Sequence, residues 1–434
     1  MEKIFISMSI ISSPKQGLGW FLNLSKTLPL KFERNRVWTP RSVMLWLMIM
    51  TFPDRKTSYR GALKSLEQFG LKVLGWSKLP SAASISMARR KMPVMLCREL
   101  LHNVVGQCQE VMGRMPHKYG TRRFIAFDGT RLVTRHSGDT IRKLHRYKRP
   151  NGDRVHNPQG LMVAAVDVFR RLPLDWVMVG KKVGERPAMM QILETLKIEP
   201  GDVAIMDRGL PSHELFASLL ELGVDIVARM STSDVISWNE IRPFLDSGKK
   251  SANIEIHVNK RLHPVVIQAR LVERDAQPGR PRKGTKKERM VILTTLKAED
   301  GFPREEIVKI YGARWGIETL FRELKSFMGV EPFHSHLVDG CEQEVAAALI
   351  WMALGSTIQA EAESTIGEKR VYRTDCLRAA SDMLSDLLKG RDIKEDYART
   401  LNALRQFSYN PRPGRHAPRE CKMPFGRSVR RGPR

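Results

Sequence analysis

Three acidic residues are of a type that could do chemistry if the fold brings them together. Asp128 closes the apolar run of "FIAFDGT", Asp207 closes that of "VAIMDRG", and Glu318 lies inside "YGARWGIETLFRELK". Two aspartates and a glutamate brought together make a hard, oxygen-rich site for Mg²⁺ or Mn²⁺. Two such ions about 4 Å apart activate a water or a 3′-hydroxyl and stabilise the leaving oxygen in phosphodiester cleavage. Without cations the same carboxylates repel one another. Arg314 and Lys325, on the same helical stripe as Glu318, would hold the phosphates of the scissile strand. Each feature alone also has a plainer reading. An aspartate before glycine often serves a turn, and Arg314 with Glu318 at i,i+4 makes a solvated pair worth a few tenths of a kcal/mol.

The elements that must position these residues follow from periodicity and from Gly/Pro punctuation. "RFIAFD", "LMVAAVDV" and "PLDWVMVG" read as three strands, "ERPAMMQILETLKI" as a helix, "DVAIMD" as a strand, "PSHELFASLLELG" as a helix and "VDIVARM" as a strand. The order is β-β-β-α-β-α-β. Ligand sites in open sheets gather at strand carboxyl ends, so Asp128 and Asp207 converge if their strands are neighbours. On the third segment Ile317, Leu320, Phe321, Leu324 and Phe327 form an apolar face that lays the helix on the sheet. Trp315 and Phe321 default to core packing.

With that order in place, Tyr311, Arg314, Glu318 and Lys325, spaced three, four and seven residues apart, match the Y-R-E-K signature of DDE transposases in insertion-sequence family four. Asp128 in "DGT" and Asp207 in "DRG" match the first two acidic positions of that family, and Glu318 the third. The resemblance covers about residues 80 to 335. It implies an α/β fold with a ribonuclease-H-like catalytic core interrupted by a β-rich insertion. It also implies DNA cutting and joining at transposon ends with two Mg²⁺ or Mn²⁺ per site, often through a DNA hairpin. Asp128, Asp207 and Glu318 would be the catalytic metal ligands, with Tyr311, Arg314 and Lys325 on phosphates near the cut. Some relatives carry a tryptophan at the start of the last insertion strand, where it stacks on a flipped base. Here that position is Met290, and Trp238, elsewhere in the insertion, is the candidate for stacking.

Six zones are expected: a helical DNA-binding domain over 1–117, the first part of the core over 118–230, a β-rich insertion over 231–300, the last part of the core over 301–335, a helical region over 336–410 and a basic tail over 411–434. The formal net charge of +27 over 434 residues favours a polyanionic partner. Double-stranded DNA, as transposon inverted repeats and target, is expected, bound by a homodimer. Three basic stretches suit phosphates: "RKLHRYKRP", "RPRKGTKK" and the tail. The stretch "SAASISMARRK" suits end recognition through Ser84, Arg89 and Arg90, with Ser81 as N-cap; a bundle helix is its plain alternative. His136, His145 and His156 lack metal-ligand spacing. Five cysteines form no CxxC pair, which argues against a zinc cluster or disulfide framework and for a reducing cytoplasm. The apolar run Val43 to Phe52 is about half of a spanning helix, so no membrane partner is expected. Two other readings keep part of this picture: a nuclease or resolvase on structured DNA, and a catalytically silent DNA-binding repressor.

Overall fold

The computed structural model describes residues 38–411 apart from 53–56, 70–75, 114, 116, 147–151, 181, 233–237, 260–263, 275–288, 390 and 392–393. Among the described residues four helices come first. α1 (Pro40–Met50) starts at a Thr39–Ser42 capping box with proline in its first turn, where the missing N–H costs nothing. α2 (Tyr59–Phe69) follows, then α3 (Ala82–Lys91), capped by Ser81, then α4 (Val94–Gly113). The apolar run from Val43 to Phe52 is buried within the protein.

The sheet begins with the antiparallel strands β1 (Phe124–Val133), β2 (Gln159–Asp167) and β3 (Leu172–Val179). A short helix, α5 (Gly138–Lys143), separates β1 from β2. It was not evident from the sequence, yet a Ser137–Thr140 capping box holds it, satisfying two end donors reciprocally. Next come α6 (Glu185–Thr195), β4 (Val203–Met206), α7 (His213–Glu221) and β5 (Asp225–Met230), with β4 and β5 parallel to β1. The expected alternation is present, and the chain is a mixed α/β structure.

Residues beyond β5 form a 3₁₀ turn (Asn239–Ile241), the short α8 (Arg242–Asp246), and three antiparallel strands: β6 (Ser251–Asn259), β7 (Pro264–Arg274) and β8 (Met290–Thr294). These strands do not stand apart. β8 pairs antiparallel with β5, which extends the core into one eight-stranded sheet of order β3-β2-β1-β4-β5-β8-β7-β6.

After the sheet come α9 (Arg304–Ala313), α10 (Trp315–Arg322) and a π turn (Glu323–Phe327). α9 lies against β5, β7 and β8, and α10 against β1, so the pair crosses the sheet past β4. α11 (Val338–Glu363), α12 (Arg373–Leu388) and α13 (Lys394–Gln406) are the last helices among the described residues. α11 is predominantly apolar along its middle, and among the described helices it alone is long and apolar enough to cross a membrane. It is packed against α1, α4, α12 and β3, as a helix buried on most sides must be in a folded core. The N-terminal and C-terminal helices therefore share a core. α3 contacts α1, α2 and α11, so it is packed into that shared core.

Candidate active site

The register of three parallel strands sets the geometry. Phe127 pairs with Met206, and Met206 with Ala228, so the next residues, Asp128, Asp207 and Arg229, stand in a row at the end of the parallel ladder. The sequence places Asp128 at the end of its strand, and the structure does not. β1 continues to Val133 because "TRLV" keeps strand alternation, and Asp128 pairs with Ala164 of β2. What ends there is the parallel neighbour. Beyond Met206, β1 loses β4, and the site opens at that step, as strand carboxyl ends in open sheets do.

The third carboxylate arrives from α10. Ile317, Leu320 and Phe321 are buried and seat the helix, with Leu324 buried one turn on. "YGARWGIETLFRELK" is not one uniform helix, however. α9 ends at Ala313, α10 starts at Trp315, and the chain widens into a π turn at Glu323. Arg314 stands at the junction, where its amide donates to the Tyr311 carbonyl and its carbonyl accepts from Ile317 in short-turn bonds. The π turn shifts the register that the even spacing to Lys325 assumed.

Arg314 lies at the centre. Its Nη1 donates to Asp128 Oδ2 at 3.0 Å, and its Nη2 donates to Glu318 Oε1 at 2.9 Å and lies 4.0 Å from Asp207 Oδ2. The Arg314 side chain is 7% exposed, against 22% for Asp128 and 37% for Asp207 and Glu318. The i,i+4 pair is therefore not the solvated one of the plainer reading. Tyr311 is buried and donates its hydroxyl to Asp207 Oδ1 at 3.1 Å, while Arg229 Nη1 approaches the same oxygen at 3.7 Å. The resemblance puts Tyr311 and Arg314 on phosphates. Here their polar ends face carboxylates, because three anionic groups around one spot attract the nearest donors. Lys325, partly exposed, donates from Nζ to the Arg131 carbonyl at 2.7 Å, which ties the π turn to β1.

These contacts push the two aspartates apart. Burial raises the Asp128 carboxyl above the usual carboxylate range, and the Glu318 and Asp207 charges add to it against the Gly129 amide and Arg314. Burial also acts on Asp207, but the Arg208 amide, Arg314, Tyr311 and Arg229 outweigh it and bring its carboxyl below that range. The Tyr311 hydroxyl is pushed up to about 12 by burial and by Asp207. It keeps its proton and stays a donor.

Three carboxylates suit a hard divalent cation in donor type and charge. Among the described residues no three His, Cys, Asp or Glu side chains gather at ligating distance; the Arg314 guanidinium lies between the three carboxylates.

Two residues at the site went unremarked in the sequence, and a third was assigned elsewhere. Glu185, in the first turn of α6, lies over Gly129, next to Asp128: a Cβ built on Gly129 would fall 2.6 Å from Glu185 Oε1. Burial, Asp128 and Asp207 raise its carboxyl, with Arg131 opposing. Arg229 was hidden because its place depends on the parallel register. Trp315 corrects the core-packing default: its ring is 60% exposed, with the Arg314 guanidinium carbon 5.7 Å from the ring centroid. Phe321 keeps that default at 6% exposure.

The candidates away from the carboxylates fare differently. Trp238 is 4% exposed, stacked on His213 at 4.0 Å and packed against Phe216, so its face is closed to a base. Met290 opens β8 as expected. Of the end-recognition residues, Arg89 is 4% exposed. It pairs with Glu344 at 3.1 Å and donates to Gln343 Oε1 and the Gly340 carbonyl. Ser84 accepts from Trp38 Nε1 at 2.8 Å. Only Arg90 of the three is exposed. The reason is helical phase: α3 turns Ile85, Ala88 and Arg89 inward. In the first basic stretch, Arg142 and Lys143 pair with Asp139, and Lys143 also with Asp339. His136 and His156 stack on each other at 4.4 Å. The insertion loop "RPRKGTKK" and the tail beyond 411 lie outside the described residues, as do residues 1–37. Cys97, Cys108, Cys341 and Cys376 are free and buried.

A family model described as the transposase DDE domain matches residues 119–354, more than half of the chain. Among solved structures, a chain from a cryo-EM structure of a piggyBac transposase synaptic complex with hairpin DNA is similar at 14% identity and a TM-score of 0.39, covering 98% of this chain and 87% of that one. That likeness is too slight to carry an argument. No curated protein matches significantly. The matched span takes in every strand of the sheet and both helices that bring Glu318 to the aspartates, and on it the chain belongs to the transposase DDE-domain family.

Proposed function

We propose that this transposase serves an insertion sequence of family four, cutting and joining phosphodiester bonds at transposon ends. The observation that carries the reading is the ladder step that sets Asp128 beside Asp207, with Glu318 reaching the same guanidinium from α10. The strand order β3-β2-β1-β4-β5, antiparallel on one side of β1 and parallel on the other, supports a ribonuclease-H-like core. Double-stranded DNA at the terminal inverted repeats is the substrate, handled by a homodimer that pairs two ends, in the cytoplasm at the nucleoid.

Asp128, Asp207 and Glu318 would hold two Mg²⁺ or Mn²⁺ ions, as members of this family generally use divalent metal. When bound, the ions supply Lewis acidity for the attacking and leaving oxygens. The rest falls to the chain. Arg314 neutralises the three carboxylates and holds Glu318 toward β1. Tyr311 orients Asp207 through a hydroxyl that stays protonated. Lys325 has one hydrogen bond to Arg131, so two of an ammonium's three donors are left for a phosphate. Arg90, exposed on α3, contacts DNA outside the cut.

The test is Mg²⁺-dependent cleavage of DNA carrying the element's own terminal repeats by the full chain. Asp128→Asn, Asp207→Asn and Glu318→Gln each abolish cleavage while leaving DNA binding. Tight binding with no cleavage by the parent protein would favour a silent repressor, and cleavage of branched DNA without regard to the repeats would favour a resolvase.

A further inference from the structure

Glu185 is the fourth acidic side chain at the cluster, open to solvent yet laid across Gly129 of β1. Placed in the first turn of a helix, a glutamate ordinarily turns back to the free amides of that end and interacts with the helix dipole. The N-cap of α6 is Gly184, which supplies no side-chain hydrogen bond, so those amides are available. Glu185 does not take them. From Cγ outward it lies across β1, where a Cβ on Gly129 would fall 2.9 Å from Glu185 Cγ and 2.6 Å from Oε1. Only a residue without a side chain at position 129 leaves that path open. Among the described residues no hydrogen bond or ion pair reaches the Glu185 carboxylate. The charges of Asp128 and Asp207 both act on it, with the Arg131 charge opposing. Arg314 pairs with Asp128 and Glu318 and does not extend to it.

An unpaired carboxylate held beside two others is unfavourable in the resting protein, and a cation at the cluster turns it favourable. We infer that Glu185 is a fourth carboxylate of the cation site, reaching it from α6 through the gap left by Gly129, either as a ligand or through a metal-bound water. This rests on the proposed function above, since it assigns a further residue to the same site.

The test reads metal binding by the full chain without DNA, through Mn²⁺ titration followed by electron paramagnetic resonance and through melting temperature with EDTA or Mg²⁺. Glu185→Gln is expected to raise the melting temperature in EDTA, to lose most of the rise on Mg²⁺ addition, and to weaken Mn²⁺ binding about 10-fold or more. Glu185→Asp keeps the charge at the helix start and withdraws the carboxylate by one methylene. It weakens Mn²⁺ binding comparably, whereas a residue serving only the helix dipole would bind as the parent does. Gly129→Ala, which blocks the path, gives the same loss. Parent-like Mn²⁺ binding by both Glu185 variants, alongside loss in Asp128→Asn, overturns the assignment and leaves the proposed function standing. Parent-like binding by Asp128→Asn and Glu318→Gln as well overturns the site reading itself.

Discussion

Arg314 and Asp128 form an ion pair at 3.0 Å across the junction between α10 and β1, and the same guanidinium holds Glu318 at 2.9 Å. The arginine is the internal counter-ion of the carboxylate cluster. Removing it leaves three partly exposed negative charges with Tyr311 and Arg229 alone. Arg314→Gln should therefore destabilise the metal-free protein by about 1–3 kcal/mol, less than a fully buried pair because the carboxylates still meet water. Mg²⁺ should restore more stability to this variant than to the parent. Thermal melts with EDTA and with Mg²⁺ check both signs, and an equal response to Mg²⁺ in the two proteins would count against the counter-ion role.

Arg89 belongs to a buried network, not to a DNA face. Its guanidinium meets Glu344, Gln343, the Gly340 carbonyl and the Tyr59 hydroxyl. Arg89→Ala removes the guanidinium from Glu344, which is 2% exposed and keeps only its His334 and Ser335 bonds, and should cost about 3–5 kcal/mol in chemical denaturation. Arg90→Ala, on the exposed neighbour, should change stability by less than about 0.5 kcal/mol while weakening DNA binding and its salt dependence.

The same network predicts acid sensitivity. Burial pushes the Glu344 carboxyl up, but the His334 hydrogen bond and the Arg89 charge outweigh it and hold the group below the usual range. A carboxylate lowered by folding contributes stability that is fully present above its unfolded value, about 4.3, and is lost as pH falls through the folded one. Denaturation midpoints should fall with acidification below about pH 4.3. Glu344→Gln should be less stable at neutral pH and show a shallower acid slope. A slope unchanged from the parent would place the acid sensitivity elsewhere.

Trp315 offers an open indole beside the carboxylates. Trp315→Ala should leave stability within about 0.5 kcal/mol, since the ring is largely exposed. If the ring stacks on a base near the cut, the loss of DNA affinity should be about 1–3 kcal/mol, and Trp315→Phe should recover part of it. Unchanged affinity in both variants would confine Trp315 to its contact with Arg314.

Much of the sheet could be read from residues, because apolar runs such as "VAIMD" and "VDIVARM" bounded by glycine have few other uses. The two aspartates were legible for the same reason, since acids at the end of apolar runs are out of place unless something recruits them. Glu318 was legible only through the spacing of Tyr311, Arg314 and Lys325 that resembles the family signature. What escaped depends on facts that only the assembled fold contains. Gly129 reads as a turn residue, yet β2 keeps the strand going past it. Arg229 joins the row through the β4–β5 register, which periodicity does not encode. Glu185 looks like any first-turn glutamate, because its value lies in a gap on another strand. Arg89 and Arg90 are adjacent and chemically alike, and only the phase of α3 against α11 sends one inward. Trp238 and Trp315 exchange their anticipated surroundings, since a ring's exposure is decided by what packs over it.

The pairing of β8 with β5 has a mechanical meaning. From the β6 edge to Asp207 the path runs through β7, β8, β5 and β4, each hydrogen-bonded to the next. A load applied at that far edge is carried as shear through backbone bonds to the strand that bears the carboxylate, and the sheet acts as a stiff beam joining the outermost strand to the reacting centre.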